Sequence, residues 1–380
     1  METVLHVTRS REVGLVKRVF VTGDIGERAL DRLRAVGYQV EVYPGPEAPP
    51  RSMLEEVLTA GIDGLVTTIR DSLDSELLAL GAHRLRIVSQ YAVGYDNLDV
   101  AAATRLGIPV TNTPDVLSAA TAEFAFFMMG SVARKLVPSE ALVRDGNWRQ
   151  WHPYLPFLGD EVTGKTVAVI GAGRIGRLFA DCCLTLEMDL LLHSRRPIPR
   201  VIESFQNLSR QRRELGFSRR PLRIESASFD GCLAEADFIS LHVPLTDETR
   251  GLFGWQAFRK MKKGAYLINT ARGPIVDESA LCRALLAGEI GGAALDVFEN
   301  EPLEADSPLR DPRLKDRLRL FHHFGSGGTR TRLSPDPEVG MAGRCVQGVI
   351  DVLEANDGGD LEKIPHIVNR EGLLRQGRNK

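Results

Sequence analysis

Residues 166–178 read TVAVIGAGRIGRL, an apolar run that turns through Gly171, Gly173 and Gly176 directly into an amphipathic pattern. Residues 167–170 have the continuous apolar character of a strand covered on both faces, and residues 175–184 carry helical periodicity. Each glycine has its own task in such a turn. Gly171 permits the tight bend, Gly173 lets backbone amides approach a pyrophosphate, and Gly176 lets the helix lie close to the strand. The helix N-terminus then faces the anion. Glycine-rich turns also recur for steric reasons alone, so the context matters: a second apolar strand at 190–192 closes a βαβ unit of the expected length.

That second strand runs into LLLHSRRP at 190–197. A unit that takes NAD usually places an Asp or Glu about 20 residues beyond the glycines, on the ribose hydroxyls. Here Ser194 falls at that position, followed by Arg195 and Arg196. A guanidinium pairs with a 2′-phosphate that a carboxylate would repel, so NADP is the expected cofactor and NAD the second choice. Two arginines solvating a loop are the plain alternative.

The 380 residues suit two domains, and 48 basic against 50 acidic side chains with 43% hydrophobic residues describe an ordinary globular chain. This balance predicts neither a nucleic-acid partner nor a membrane. The opening METVLHVTRSREVGLVKR holds no signal-peptide core and no apolar run reaches spanning length, so a cytoplasmic location is expected. Cys182, Cys183, Cys232, Cys282 and Cys345 form no ligand pattern and are read as reduced. His152, His193 and His242 lack partners at ligand spacing, so no metal site is expected.

Strand-like segments at 19–22, 39–43 and 65–67, with helical residues at 29–36, form one open α/β unit before the glycine turn. After it, strands at 238–241, 265–269 and 293–296 alternate with helices near 255–260 and 277–287. The strongly apolar stretch 119–133 predicts a helix buried where the two units join. Residues 198–223, with Arg210, Arg212, Arg213, Arg219, Arg220 and Arg223, read as a solvated insertion near the adenosine end. There is no internal repeat, and the tail 357–380 is too short for a further domain.

Three motifs follow the turn: LINTARGPIVDESAL at 267–281, AALDVFENEPL at 293–303 and FHHFGSGGT at 321–329. Together with YAVGYDNLD at 91–99 and VTNTPDV at 110–116, they resemble the D-isomer-specific 2-hydroxyacid dehydrogenase family in order and spacing over nearly the whole chain. GNWRQWHP at 146–153 and the SRRP segment look most like its glyoxylate/hydroxypyruvate reductases. The resemblance implies an α/β chain of two doubly wound, parallel-sheet (Rossmann-like) domains with the active site in the cleft between them. Residues 1–113 and 322–380 would form a discontinuous, flavodoxin-like substrate-binding domain and 114–321 the dinucleotide-binding domain. It further implies NAD(P)H-dependent reduction of a small 2-keto acid, and a homodimer built from cofactor-domain surface that includes 119–133 and the arm carrying Trp151.

Reducing a 2-keto acid takes a cation for the carboxylate, a proton donor for the carbonyl oxygen and a hydride source. By resemblance, Arg272 holds the carboxylate and polarises the carbonyl, His323 donates the proton, and Glu301 is hydrogen-bonded to that histidine and raises its pKa. A surface ion pair is the alternative for Arg272. The family usually has Pro before its catalytic histidine and Ile after it, whereas this chain reads Phe321, His322, His323, Phe324. Gly325 and Ser326 set a register that selects His323 and leave His322 as the alternative. Asp296 resembles the residue that holds the nicotinamide carboxamide, although an Asp at a strand end equally caps a turn. Val93 and Gly94 would offer main-chain donors to the substrate carboxylate. Arg174, Ile175, Val243, Pro244, Thr249, Thr270, Ala271 and Gly325 would complete the dinucleotide contacts. Other 2-hydroxyacid or phosphonate-type dehydrogenases, and a dinucleotide-sensing corepressor-like binding protein, stay open as alternatives.

Overall fold

The computed structural model describes residues 16–355 and 361–377, so the readings of the N-terminal segment 1–15 and of part of the tail lie outside the described residues. The chain divides into two units: one runs up to Pro114 and resumes at Arg332, and the other is Asp115–Thr331.

The first unit holds five parallel strands, β1 (Arg18–Val21), β2 (Gln39–Val42), β3 (Gly64–Thr67), β4 (Ile87–Gln90) and β5 (Val110–Thr111), in the order β2-β1-β3-β4-β5. β3 and β4 are buried at every position, because helices cover both faces, while edge strand β2 alternates between exposed and half-buried residues. On one face Val19, Val21 and Val66 meet Val346 and Val349 of the returning helix Met341–Ala355; on the other, Phe20, Leu65 and Val88 meet Leu54, Leu58 and Leu77.

The second unit holds seven parallel strands: β6 (Thr166–Ile170), β7 (Asp189–His193), β8 (Ile224–Ser226), β9 (Phe238–Leu241), β10 (Tyr266–Asn269), β11 (Gly292–Leu295) and β12 (Leu318–Leu320). Their order is β12-β11-β10-β9-β6-β7-β8, which reverses direction between β6 and β9. Both units are therefore doubly wound α/β sheets, and in such sheets ligands bind outside the carboxyl ends of the strands at the reversal.

The apolar helix is Ser118–Ala133, and its buried Ala122, Ala125, Met128 and Met129 belong to the second unit's core with Val169, Phe179 and Ala180. Residues 198–223 are mostly exposed, as expected of a solvated segment, but they form regular structure. Pro199–Glu214 is a helix that buries Phe205, which alone contributes roughly 1.5–3 kcal/mol, and β8 follows as the edge strand beside β7. Two of its arginines have structural partners, Arg220 on Asp189 at 2.8 Å and Arg223 on Glu225 and Glu235, both at 2.5 Å. Finally, the second crossing falls after Thr331 and not after Phe321. The His322–Gly325 loop stays with the second unit because its amides continue along β11: Phe321 N donates to Leu295 O and His323 N to Asp296 O, both at 2.8 Å.

Candidate active site

All the cofactor and catalytic residues expected in the second unit stand at the carboxyl ends of its parallel strands. Gly171 follows β6, Ser194 to Arg196 follow β7, Val243 and Pro244 follow β9, Thr270 to Arg272 follow β10, Asp296 follows β11, and His323 follows β12.

The glycine turn is built as its spacing predicts. Gly171 has φ +103, and a Cβ there would stand 2.6 Å from the His242 carbonyl oxygen; a Cβ on Gly176 would stand 2.1 Å from the carbonyl oxygen of Gly171. A Cβ on Gly173 would meet nothing within 4 Å. That open side lies at the N-terminus of the helix Arg174–Leu184, which no side chain caps. The helix therefore presents uncapped amides and the positive end of its dipole to open space. Ile175 packs against the core, whereas Arg174 forms an exposed 2.6 Å ion pair with Asp115. Near the same edge the buried Thr270 hydroxyl has no hydrogen-bond partner. An uncapped helix start, room beside Gly173 and an orphaned hydroxyl are what a bound dinucleotide phosphate and its neighbouring groups would fill, so the residues present fit that group.

Other expected contacts are engaged within the protein. The Thr249 hydroxyl accepts from Thr246 N and donates to Pro244 O, both at 2.8 Å, closing its own loop. Arg195 and Arg196 are exposed beyond β7. The Arg195 charge also reaches Glu248, whose carboxyl is held below its ordinary value chiefly by its hydrogen bond with Thr246. His242 is half-buried with its Nε2 2.9 Å from Ser240 Oγ, and desolvation of its ring pushes its pKa down to about 3, which keeps it neutral.

Of the two adjacent histidines, His323 is the one that meets an acid: its Nδ1 lies 2.8 Å from Glu301 Oε2. His322 is exposed and its ring lies 5.1 Å from that of Phe324. Glu301 is itself oriented, since its Oε1 accepts from Phe298 N at 3.0 Å. Burial is the largest single influence on the Glu301 carboxyl and pushes it up. The hydrogen bond and charge of His323, the Phe298 amide and the charge of Arg272 together outweigh burial and hold it below the ordinary value. Arg272 thus lies near enough to act on Glu301. Asn269, which the sequence reading passed over inside LINTARG, shapes the Arg272 turn: it accepts from Ala271 N at 3.0 Å and donates to Arg272 O at 2.9 Å.

Asp296 holds the histidine loop. Its two carboxylate oxygens accept from Phe324 N at 2.6 Å and Gly325 N at 2.7 Å, and the residue is 1% exposed. This contact joins the end of β11 to the loop after β12 and is not a cap of the turn that follows Asp296 itself. Burial keeps its carboxyl raised above the ordinary value in spite of those two amides. With the loop so tied, His323 adopts φ +55, a left-handed conformation uncommon for a residue with a side chain and one that clusters at functional sites.

Val93 and Gly94 belong to the first unit, in the loop after β4. The carbonyls of Ala92, Val93 and Gly94 are all held from beneath: Thr113 N reaches Ala92 O at 2.9 Å, Asn112 Nδ2 reaches Val93 O at 2.8 Å, and Gln90 Nε2 reaches Gly94 O at 3.2 Å. In a trans peptide the N–H points opposite the carbonyl, so the amides of Val93, Gly94 and Tyr95 are turned away from these anchors. Neither Asn112 nor Gln90 carries a sequence signal for this task, because each sits at the end of an apolar strand where packing would explain it.

Among the described residues no group of three or more His, Cys, Asp or Glu is placed to hold a metal, and no helix is long and apolar enough to cross a membrane. Residues 126–323 match the family described as D-isomer specific 2-hydroxyacid dehydrogenase, NAD binding domain. Over 360 residues the chain is 44% identical to a protein named glyoxylate reductase from Thermococcus litoralis, covering 94% of this chain and 98% of the relative. A solved structure from Thermus thermophilus resembles it with a TM-score of 0.78 at 37% identity, over 92% of this chain and 99% of its own. The NADPH-dependent glyoxylate/hydroxypyruvate reductase of Sinorhizobium meliloti, solved with NADP and malonate, resembles it with a TM-score of 0.68 at 27% identity, over 90% and 94% of the two chains. With a relative this similar along nearly its whole length, the chain belongs to the D-isomer specific 2-hydroxyacid dehydrogenase family of oxidoreductases.

Proposed function

We propose that this protein reduces a small 2-keto acid of the glyoxylate or hydroxypyruvate class to the D-2-hydroxy acid, with NADPH preferred over NADH. The observation that carries the reading is the 2.8 Å pairing of His323 with Glu301 on the same sheet edge as Arg272. The Thermococcus litoralis relative, named glyoxylate reductase, supports the substrate class. The Gly171–Gly176 turn would hold the dinucleotide, which would supply the hydride when bound. Arg272 offers a planar, always charged fork to the substrate carboxylate and draws electron density toward the carbonyl oxygen. His323 gives the proton to that oxygen from Nε2, because Nδ1 is the nitrogen that meets Glu301. Glu301 remains ionised through the working pH range and stabilises the protonated ring. The amides of Val93 and Gly94 add main-chain donors for the carboxylate.

For the cofactor, Ser194 with the exposed Arg195 and Arg196 supports NADPH, because no acid at that position repels a 2′-phosphate. The residues up to Pro114 and from Arg332 are assigned to substrate and the unit between them to the dinucleotide. We place the protein in the cytoplasm as a homodimer with no nucleic-acid or membrane partner. Exposed Phe127, Trp148, Trp151, Tyr154 and Leu158 support self-association, since apolar surface concentrated in one segment favours burial against a partner.

Initial rates on a panel of 2-keto acids with NADPH and NADH test the reading, with light scattering on the same preparation for the dimer. Glyoxylate or hydroxypyruvate should give the highest kcat/KM, and Arg195→Ala should weaken NADPH use far more than NADH use. A wild type that favours NADH overturns the cofactor assignment, and one that turns over no 2-keto acid overturns the function.

A further inference from the structure

The side chains under the 92–95 loop are tied into one network that the chemistry above leaves unexplained. Gln90, the last residue of β4, is fully buried, yet all of its polar capacity is directed at the carboxyl edge of the sheet. Its Oε1 accepts from Thr67 Oγ1 at 2.7 Å, and its Nε2 donates to Asn97 Oδ1 at 2.8 Å as well as to Gly94 O at 3.2 Å. Asn97 in turn donates to Thr68 O at 3.1 Å and Asp71 O at 2.7 Å. Asp71 is also buried, and its Oδ2 accepts from Thr22 Oγ1 at 2.5 Å and Thr68 N at 2.6 Å. One buried amide thus links the ends of β3 and β4 and both loops that leave them.

We infer that Gln90 is a positioning residue for the substrate carboxylate: through Gly94 O and Asn97 it fixes the direction in which the amides of the 92–95 loop point. The inference rests on the functional reading above. A flexible loop would have to order its amides on binding each substrate, and that ordering is an entropic cost which appears in KM. A loop held in advance by buried hydrogen bonds avoids it. Gln90 touches no reacting atom in this account, so the chemical step itself is unaffected.

Two substitutions separate positioning from simple packing. Gln90→Met keeps the length and removes every hydrogen bond. Gln90→Glu keeps the acceptor for Thr67 and removes both donations toward the loop. Steady-state kinetics on glyoxylate with NADPH, accompanied by thermal melts, should show KM for the keto acid raised about tenfold in both variants, with kcat within about threefold and KM for NADPH unchanged. If folded Gln90→Met, or folded Gln90→Glu, keeps the wild-type KM while its melting temperature falls, Gln90 is a packing residue and the inference is overturned. If the wild type itself turns over no 2-keto acid, it is the functional reading that fails.

Discussion

The carboxyl edges of the two sheets present ligands with different chemistry. On the seven-stranded sheet the proposed working groups are side chains, Arg272, Glu301 and His323, while Asp296 and Asn269 tie down the backbone around them. On the five-stranded sheet the relation is inverted. There the proposed binding groups are backbone amides of 93–95, and the side chains of Gln90 and Asn112 hold the carbonyls of Gly94 and Val93. The contrast teaches that a side chain in one unit does chemistry where in the other it does carpentry, so the two kinds of truncation should leave opposite kinetic marks. Loss of His323 or Glu301 on the first edge should lower kcat, and loss of Arg272 should also raise KM because its charge holds the carboxylate before reaction; loss on the second edge should raise KM alone.

The largest expected effect is on the histidine pair. His323→Ala should lower kcat by ~100- to 10,000-fold, the range for a lost general acid, with NADPH binding intact by fluorescence titration. His322→Ala, which removes an exposed ring lying beside Phe324, should stay near wild type. The reverse pattern in two folded variants would break the comparison at its base. Next comes Glu301→Gln. The carboxyl lies below its ordinary value through His323 and Arg272, so it is charged at neutral pH and favours the protonated imidazole. A neutral amide removes that support, so the ring loses its proton at lower pH and the alkaline limb of the reductive pH profile should move toward acid. A pH–rate profile that does not move, or moves toward alkali, contradicts the assigned role. The smallest effect belongs to the other edge: Asn112→Ala frees the Val93 carbonyl and removes one neutral hydrogen bond, worth about 0.5–1.5 kcal/mol. KM for the keto acid should rise a few-fold with kcat unchanged, and a fall in kcat at constant KM would erase the distinction between the two edges.

Much of this was legible in the chain. The tight strand-to-helix turn was legible because it needs glycine where a Cβ would collide, and the distances to His242 O and Gly171 O show that need at Gly171 and Gly176. Register through Gly325 and Ser326 selected His323 over His322, and the Glu301 contact lies where that register puts it. Less was legible wherever an arginine or acid was read by its type alone. Arg220 and Arg223 looked like solvated charge and are structural partners of Asp189, Glu225 and Glu235, and the helix around Phe205 was hidden by its polar face. Asp296 admitted two readings, and neither names its contact with the Phe324 and Gly325 amides, which the pairing of β11 with β12 brings near.

The sequence by itself determined the α/β alternation and the glycine turn, because these follow from local periodicity and from what a Cβ excludes, and its motifs resembled a family closely enough to nominate Arg272, Glu301 and His323. Only the tertiary structure decided which backbone groups are turned outward and which side chains hold them. The amides of 93–95 are directed by Thr113, Asn112 and Gln90, and His323 is held at positive φ with its loop anchored on Asp296, all through contacts between separate strand ends. A hydrogen bond between residues distant in sequence leaves no period to read, since its existence depends on the strand order and register that bring its two ends together.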